Sequence, residues 1–174
     1  PRAKTTNVRT MTHMRRWGLA PEMRRRSPLR PDFPRRVRFA TGLFGRDIYS
    51  FDNAFCASPV RDERFPEHAE FIPQYVVEGI LLDHVRAQPL ATVRFNTRLE
   101  EIEQRPSGGV TARVRNLETD ESGMVTARFL VGADGARSTV RKLLGIQMQG
   151  LHSLISFITL ILRIPGLNAD PELE

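Results

Sequence analysis

The stretch Phe129–Gly145, FLVGADGARSTVRKLLG, constrains the fold of this 174-residue chain more than any other. Phe129, Leu130 and Val131 form a short apolar, β-prone run, which predicts a buried strand. Gly132 and Gly135 bracket Ala133-Asp134, where the chain must turn sharply and a ligand can approach the backbone. Ser138 has the chemistry of an N-cap for Thr139–Leu144, and Gly145 that of a residue that ends a helix. A strand turning into a helix in this way sets a carboxylate and backbone N–H groups at a helix N-terminus, a place suited to a phosphorylated ligand. Asp134 would be repelled by phosphate oxygens it faced directly. Its expected task is to accept a hydrogen bond from a ribose hydroxyl, or to reach the phosphates through water. Arg137 and Arg141, planar multi-donor forks, supply the positive charge. Spacing alone leaves a second reading open, an ordinary strand-to-helix turn with a surface Asp and two solvated arginines.

The rest of the chain mixes helices and strands. Asn7–Trp17 reads as an amphipathic helix with Val8, Met11 and Met14 on one stripe and Gly18 ending it. Pro21 starts a shorter helical turn through Arg26. Ser27–Arg36, with three prolines, is a connection. Val37–Thr41 and Asp47–Phe51 form an expected hairpin, and Asp52–Pro73 a loop ending in an extended piece at Phe71–Ile72. Gln74–Arg86 is a stronger helix, and Gly79 inside it predicts close packing against another element. Thr92–Phe95 and Leu99–Gln104 read as strands. Val110–Arg115 and the alternating Val125, Ala127, Phe129 and Val131 read as an antiparallel pair joined by the acidic NLETDESG turn. Ser153–Ile164 reads as a strand of a further sheet. This pattern is that of an α/β or α+β protein built around a sheet.

Charge is unevenly spread. Residues 1–40 carry twelve Lys/Arg against Glu22 and Asp32, whereas the remainder carries fourteen bases and eighteen acids. Such a basic block can be a nucleic-acid footprint. Arginine makes up all but two of the bases and few aromatics interleave with them, which favours solvated helix surface over nucleic-acid binding. Cys56 is the only cysteine, so neither a disulfide framework nor zinc-ligand spacing is present. Glu67-His68-Ala69-Glu70 offers two carboxylates around one histidine, for which a solvated turn is the expectation and a metal site is not. His13, His68, His84 and His152 are scattered, and no nucleophilic triad is expected. The basic N-terminal stretch lacks an apolar core segment, and the apolar run Leu154–Leu162 is too short to span a bilayer, so a cytoplasmic protein without membrane contact is expected. The chain opens on Pro1 and stops at Glu174 with no evident end to its last domain, which reads as a piece of a longer frame.

Three blocks, in order, resemble the FAD-dependent aromatic hydroxylases (class A flavoprotein monooxygenases of the phenol and 4-hydroxybenzoate hydroxylase kind). PRAKTTNVRTMTHMRRWGLA is similar to the segment after that family's first βαβ unit, with Arg2 in the place of an arginine that reaches the FAD pyrophosphate. IPQYVVEGILLDHV is similar to the family's Pro-Gln helix, and the resemblance puts Gln74 on the flavin side; Val77 stands where Leu is usual. GADGARSTVRKLLGI carries Asp134, Gly135, Ser138 and Arg141 on the key positions of the family's Asp-Gly motif. TGLFGRDI is more weakly similar to the phenol-hydroxylating branch. The resemblance implies a glutathione-reductase-like Rossmann-variant FAD-binding domain over residues 1–150, with inserted substrate-domain strands around 37–72. Residues 151–174 would begin a substrate-binding sheet.

The same resemblance implies cofactor contacts from Arg2, Gln74, Asp134, Gly135, Arg137 and Arg141, the two latter arginines also serving NAD(P)H, with no side chain acting as nucleophile. It implies a flavin that captures O2 as a C4a-hydroperoxide and hydroxylates a small aromatic, phenol-like substrate. The family's GxGxxG turn would lie before Pro1 and its Gly-Asp motif beyond Glu174. The isolated chain is therefore expected neither to hold FAD tightly nor to turn over. Two other readings stay open: a catalytically inert flavoprotein-like fragment, and a basic nucleic-acid-binding module.

Overall fold

A computed structural model describes residues 4–29, 33–42, 45–60 and 62–151, together with 155, 156, 158, 163 and 165. Arg2 and most of the strand expected over Ser153–Ile164 lie outside the described residues. The chain divides into two compact units, residues 1–92 with 162–174, and residues 93–161.

In the first unit, strand β1 (Thr5–Thr6) leads into helix α1 (Val8–Arg16), and helix α2 (Ala20–Arg26) follows after a tight turn. Asn7 caps α1, its side chain accepting from the Thr10 amide at 2.9 Å. Gly18, at φ +74°, takes the left-handed conformation that ends the helix, and the Leu19 amide closes back on the Met14 carbonyl. Pro21 opens α2, where its missing N–H costs nothing. Strands β2 (Val37–Ala40) and β3 (Asp47–Phe51) pair as the expected antiparallel hairpin, which carries the edge-to-face rings of Phe39, Tyr49 and Phe51. Strand β4 (Glu70–Phe71) precedes helix α3 (Gln74–Arg86). Met11, Met14, Ala20, Met23, Ile72, Val76 and Ile80 form one buried cluster that fastens α1, α2 and α3 together. Gly79 lets the Arg26 guanidinium approach α3, since a Cβ there would sit 3.1 Å from Arg26 Nη2.

Strand β1 has no signature in the sequence. Two residues cannot show a period, and it exists because β4 lies antiparallel to it, with Thr5 opposite Phe71 and Thr6 opposite Glu70. The loop before β4 also departs from expectation. Glu70 is 5% exposed and Glu67 is largely covered, so 67–70 is not a solvated turn. Both carboxylates are drawn in by arginines distant in sequence: Arg24 pairs with Glu67 and with Glu70 (2.9 Å to the latter), and Arg35 reaches Glu70 at 3.6 Å. Part of the arginine-rich α2 surface is thus spent on internal pairing. Among the described residues no group of three or more His, Cys, Asp or Glu is arranged to hold a metal ion.

The second unit is a three-stranded antiparallel meander, β5 (Thr97–Gln104), β6 (Val110–Asn116) and β7 (Ser122–Ala127), followed by helix α4 (Thr139–Leu143) packed against β5. Leu99 faces Val114 and Ile102 faces Ala112, with a register shift at Glu100. The β6–β7 turn is built as its composition predicts, Asn116 Oδ1 accepting from the Glu118 amide at 2.9 Å while Asp120 takes a positive φ.

Two strand expectations in this region are corrected. Thr92–Phe95 is not a strand. The chain turns at Asn96 (φ +51°), whose carbonyl accepts from the Leu117 amide, and Thr97 Oγ1 donates to the Phe95 carbonyl, so this stretch is committed to the approach to β5. The extension of β7 through Phe129–Val131 is also absent, with Phe129 76% and Val131 87% exposed. The alternation there is real, but a strand needs a neighbour for its N–H and C=O groups, and none lies beside it among the described residues.

No helix among the described residues is long and apolar enough to cross a membrane.

Candidate functional site

The Asp-Gly turn is shaped by its own helix. Asp134 accepts three hydrogen bonds from the first turn of α4: Ser138 Oγ donates to Oδ1 at 2.5 Å, and the Thr139 and Val140 amides donate to Oδ2 at 2.6 and 3.1 Å. Ser138 Oγ accepts in turn from the Arg141 amide at 3.0 Å, as an N-cap should. This revises one expectation about the turn. The amides that open the helix are already occupied, so an anionic ligand at this turn would meet guanidinium groups rather than a vacant helix end.

Those guanidiniums come from Arg137 and Arg141. Arg141 is half-buried and its Nη1 donates to the Ala136 carbonyl at 2.9 Å, which folds the side chain back over the turn and leaves its other N–H groups for an outside acceptor. Arg137 is exposed. Gly135 adopts φ +77° with open space where a Cβ would stand, so it is required by backbone conformation and not by crowding. Gly132 is the opposite case. A Cβ there would fall 2.8–3.0 Å from the Cβ and both methyl groups of Val140, so its hydrogen is what lets the incoming chain press against α4.

The Asp134 carboxyl is held below the usual carboxylate range, first by the Ser138 hydroxyl and then by the Val140 amide. The sign of the linkage follows. A depressed folded-state value means the capping arrangement is complete above the ordinary carboxylate pKa and is lost as pH falls through the lowered one. The turn is therefore fully formed and anionic at neutral pH.

Gln74 belongs to the first unit. It stands at the first position of α3, where Pro73 is the N-cap, and its Nε2 donates to Glu78 Oε1 at 2.5 Å. Because β1 and β4 are antiparallel, the start of β1 lies beside the end of β4 from which Gln74 follows. Asp134, Gly135, Arg137 and Arg141 are thus gathered on one turn of the second unit, while Gln74 sits on a separate element of the first.

The whole of this arrangement falls within a match to a family of FAD-binding domains, which covers residues 1–169. The chain belongs to that FAD-binding-domain family. Relatives include an aklavinone 12-hydroxylase of Streptomyces peucetius, 37% identical over 92% of this chain and 33% of its own length. A 2,4-dichlorophenol 6-monooxygenase of Delftia acidovorans is 32% identical over 92% of the chain and 28% of its own length. Among solved structures, the flavin-dependent monooxygenase PieE in complex with FAD and substrate superposes with a TM-score of 0.73 at 26% identity, covering 87% of this chain and 26% of PieE. The chain spans about a third of the length of the curated relatives it matches.

The residues present suit the ribose–phosphate part of a dinucleotide such as FAD. A carboxylate has about four acceptor positions, and α4 fills three of those on Asp134, leaving capacity for a hydroxyl donor. Arg137 and Arg141, carried by the same turn, have guanidiniums that match phosphate oxygens in charge and shape. What the sequence did not disclose in the first unit is the ion-pair cluster beside β4. The covered Glu67 and Glu70 and the partners Arg24 and Arg35 are visible only once tertiary contacts exist, and the EHAE string by itself carries no signal for them.

Proposed function

We propose that this chain is the FAD-binding-domain portion of a flavin-dependent monooxygenase that uses NAD(P)H and O2 to hydroxylate a small aromatic, phenol-like substrate. The observation that carries the reading is the Asp-Gly turn: an anionic carboxylate pinned by its own helix, with the Arg137 and Arg141 guanidiniums on the same turn. On this reading Asp134 accepts from a cofactor ribose hydroxyl, Arg137 and Arg141 neutralise the phosphates of FAD and of transiently bound NAD(P)H, and Gly135 keeps the backbone open to them. Gln74 contacts the flavin side and Arg2 the pyrophosphate. The redox chemistry, hydride acceptance and O2 activation, is what FAD supplies when bound. This chain's residues bind, orient and hold charge, and none is assigned as a nucleophile or a general base.

The same reading assigns residues 1–150 to a glutathione-reductase-like FAD-binding domain in which β2 and β3 are strands of an inserted substrate-binding sheet, and residues 151–174 to the start of that sheet. The aromatic chemistry of the relatives supports the substrate class, and the exposed Phe39, Tyr49 and Phe51 rings suit a hairpin that joins a larger sheet.

The test is Asp134→Ala in the full-length protein. Weakened FAD retention, or flavin that NAD(P)H no longer reduces, is the expected result. Unchanged flavin content together with unchanged NAD(P)H oxidation would refute the assignment.

A further inference from the structure

Glu70 is a charged residue that the fold buries, and nothing in the site described above uses it. Its carboxylate, 5% exposed as a residue, lies 2.9 Å from Arg24 Nε, 3.6 Å from Arg35 Nη2 and 3.4 Å from His68 Nδ1. Arg24 reaches it from α2, and Arg35 from the chain that enters β2. The neighbouring segment is held in the same manner. Arg24 also pairs with Glu67, Arg15 Nη1 donates to the Pro66 carbonyl at 3.1 Å, and Ser27 Oγ donates to the Phe71 carbonyl at 3.3 Å.

The ladder this cluster supports is too short to support itself. β1 and β4 share two residue pairs, and a two-stranded element of that length has no independent stability in water. Residues 66–71 are held by charged side chains converging from α1, α2 and the chain that enters β2, together with the buried Ala69, its amide hydrogen bond to the Cys56 carbonyl and the edge contacts of the Phe71 ring with Phe33 and Phe55. Ile72, next in line, is buried in the helical cluster. Pro73 and Gln74 follow directly, so the pinning of β4 fixes the entry to α3, while Val76 and Ile80 hold the helix itself in the buried cluster.

We propose that Glu70 is a positioning residue: by sharing its buried carboxylate between Arg24 and Arg35 it sets the register of β4, and through β4 the placement of Gln74 toward the flavin. This rests on the reading of Gln74 as a flavin contact. Glu70 touches no cofactor and acts only through the chain that follows it.

The experiment is a double-mutant cycle in the full-length flavoprotein, with Glu70→Gln and Gln74→Ala as the two substitutions and the FAD dissociation constant, from flavin fluorescence, as the readout. Glu70→Gln is close to isosteric and removes only the charge. It is expected to weaken FAD about tenfold when Gln74 is present and less than about twofold in the Gln74→Ala background, a coupling that a general loss of stability does not produce. Additive effects, or no effect of Glu70→Gln on FAD, would overturn the proposal while leaving Gln74 as a contact. A Gln74→Ala variant that binds FAD normally would overturn the contact and the proposal together. If Glu70→Gln does not fold, Arg35→Gln takes its place in the same cycle, with the same coupling expected and the same additive or null result counting against the proposal.

Discussion

Ser138→Ala tests the central claim about the Asp-Gly turn, that its geometry is imposed by the helix that follows. Ser138 Oγ accepts from the Arg141 amide at 3.0 Å and donates to Asp134 Oδ1 at 2.5 Å, so the substitution removes both links at once. Loss of a serine N-cap costs about 0.5–2 kcal/mol. Two features hold this case near the middle of that range. The Thr139 and Val140 amides keep their acceptor in Asp134 Oδ2, and Asp134 is solvent-exposed, so water replaces the lost hydroxyl. A cost of about 1 kcal/mol raises the population of the open helix about fivefold. Because α4 is five residues long and lies at the end of the second unit, the opening is local. The assay is amide hydrogen exchange followed by NMR. The Arg141 amide should exchange about fivefold faster, the Ala112 amide in β6 should not change, and Ser138→Thr, which keeps the hydroxyl, should stay within about twofold of the parent. The Asp134 carboxyl should also rise toward the ordinary range while staying below it, since its largest lowering influence is gone and the amides remain. Unaltered Arg141 exchange, or acceleration of equal size at Ala112, would refute the reasoning.

Four further outcomes are expected. Gly132→Ala places a methyl group 2.8–3.0 Å from three Val140 atoms and should destabilise by about 1–3 kcal/mol, with Val140→Ala restoring only part of the loss because the Cβ at 2.8 Å remains, as read from urea midpoints. Gly79→Ala should be neutral or stabilising by up to about 1 kcal/mol in thermal unfolding, because the helix gains propensity and the clash falls on the movable end of Arg26, whose exposed pair with Asp83 is worth little. Ile80→Ala empties a site that is 1% exposed in the helical cluster and should cost about 2–5 kcal/mol in chemical denaturation. Asp62 is drawn from 3.8 to about 2 by the Arg64 guanidinium and then by the Arg64 amide. Its link to Arg64 is complete above 3.8 and lost as pH falls through about 2, and Arg64→Ala should return the carboxyl toward 3.8 in a carbon-detected NMR titration.

Local chemistry determined much of this protein. Asn7, Gly18 and Pro21 delimit α1 and α2 because capping, left-handed backbone and a missing N–H are properties of single residues and their immediate neighbours. The spacing of Val76, Val77, Ile80 and Leu81 marked α3 within its observed limits, and the Asp134–Arg141 motif marked both the turn and the family to which the chain belongs. Tertiary structure decided the rest. Strand β1 and the burial of Glu70 depend on partners more than sixty and more than thirty residues away, and no sequence window contains both members of such a pair. Phe129–Val131 has the composition of a strand and is not one, because a ladder is a property of two chain segments and composition describes only one. The amides at the start of α4 show the same division on a smaller scale. The motif predicts that they exist, but only the fold reveals that Asp134 has already taken them, which is why the proposed phosphate contacts fall to Arg137 and Arg141 and not to the backbone.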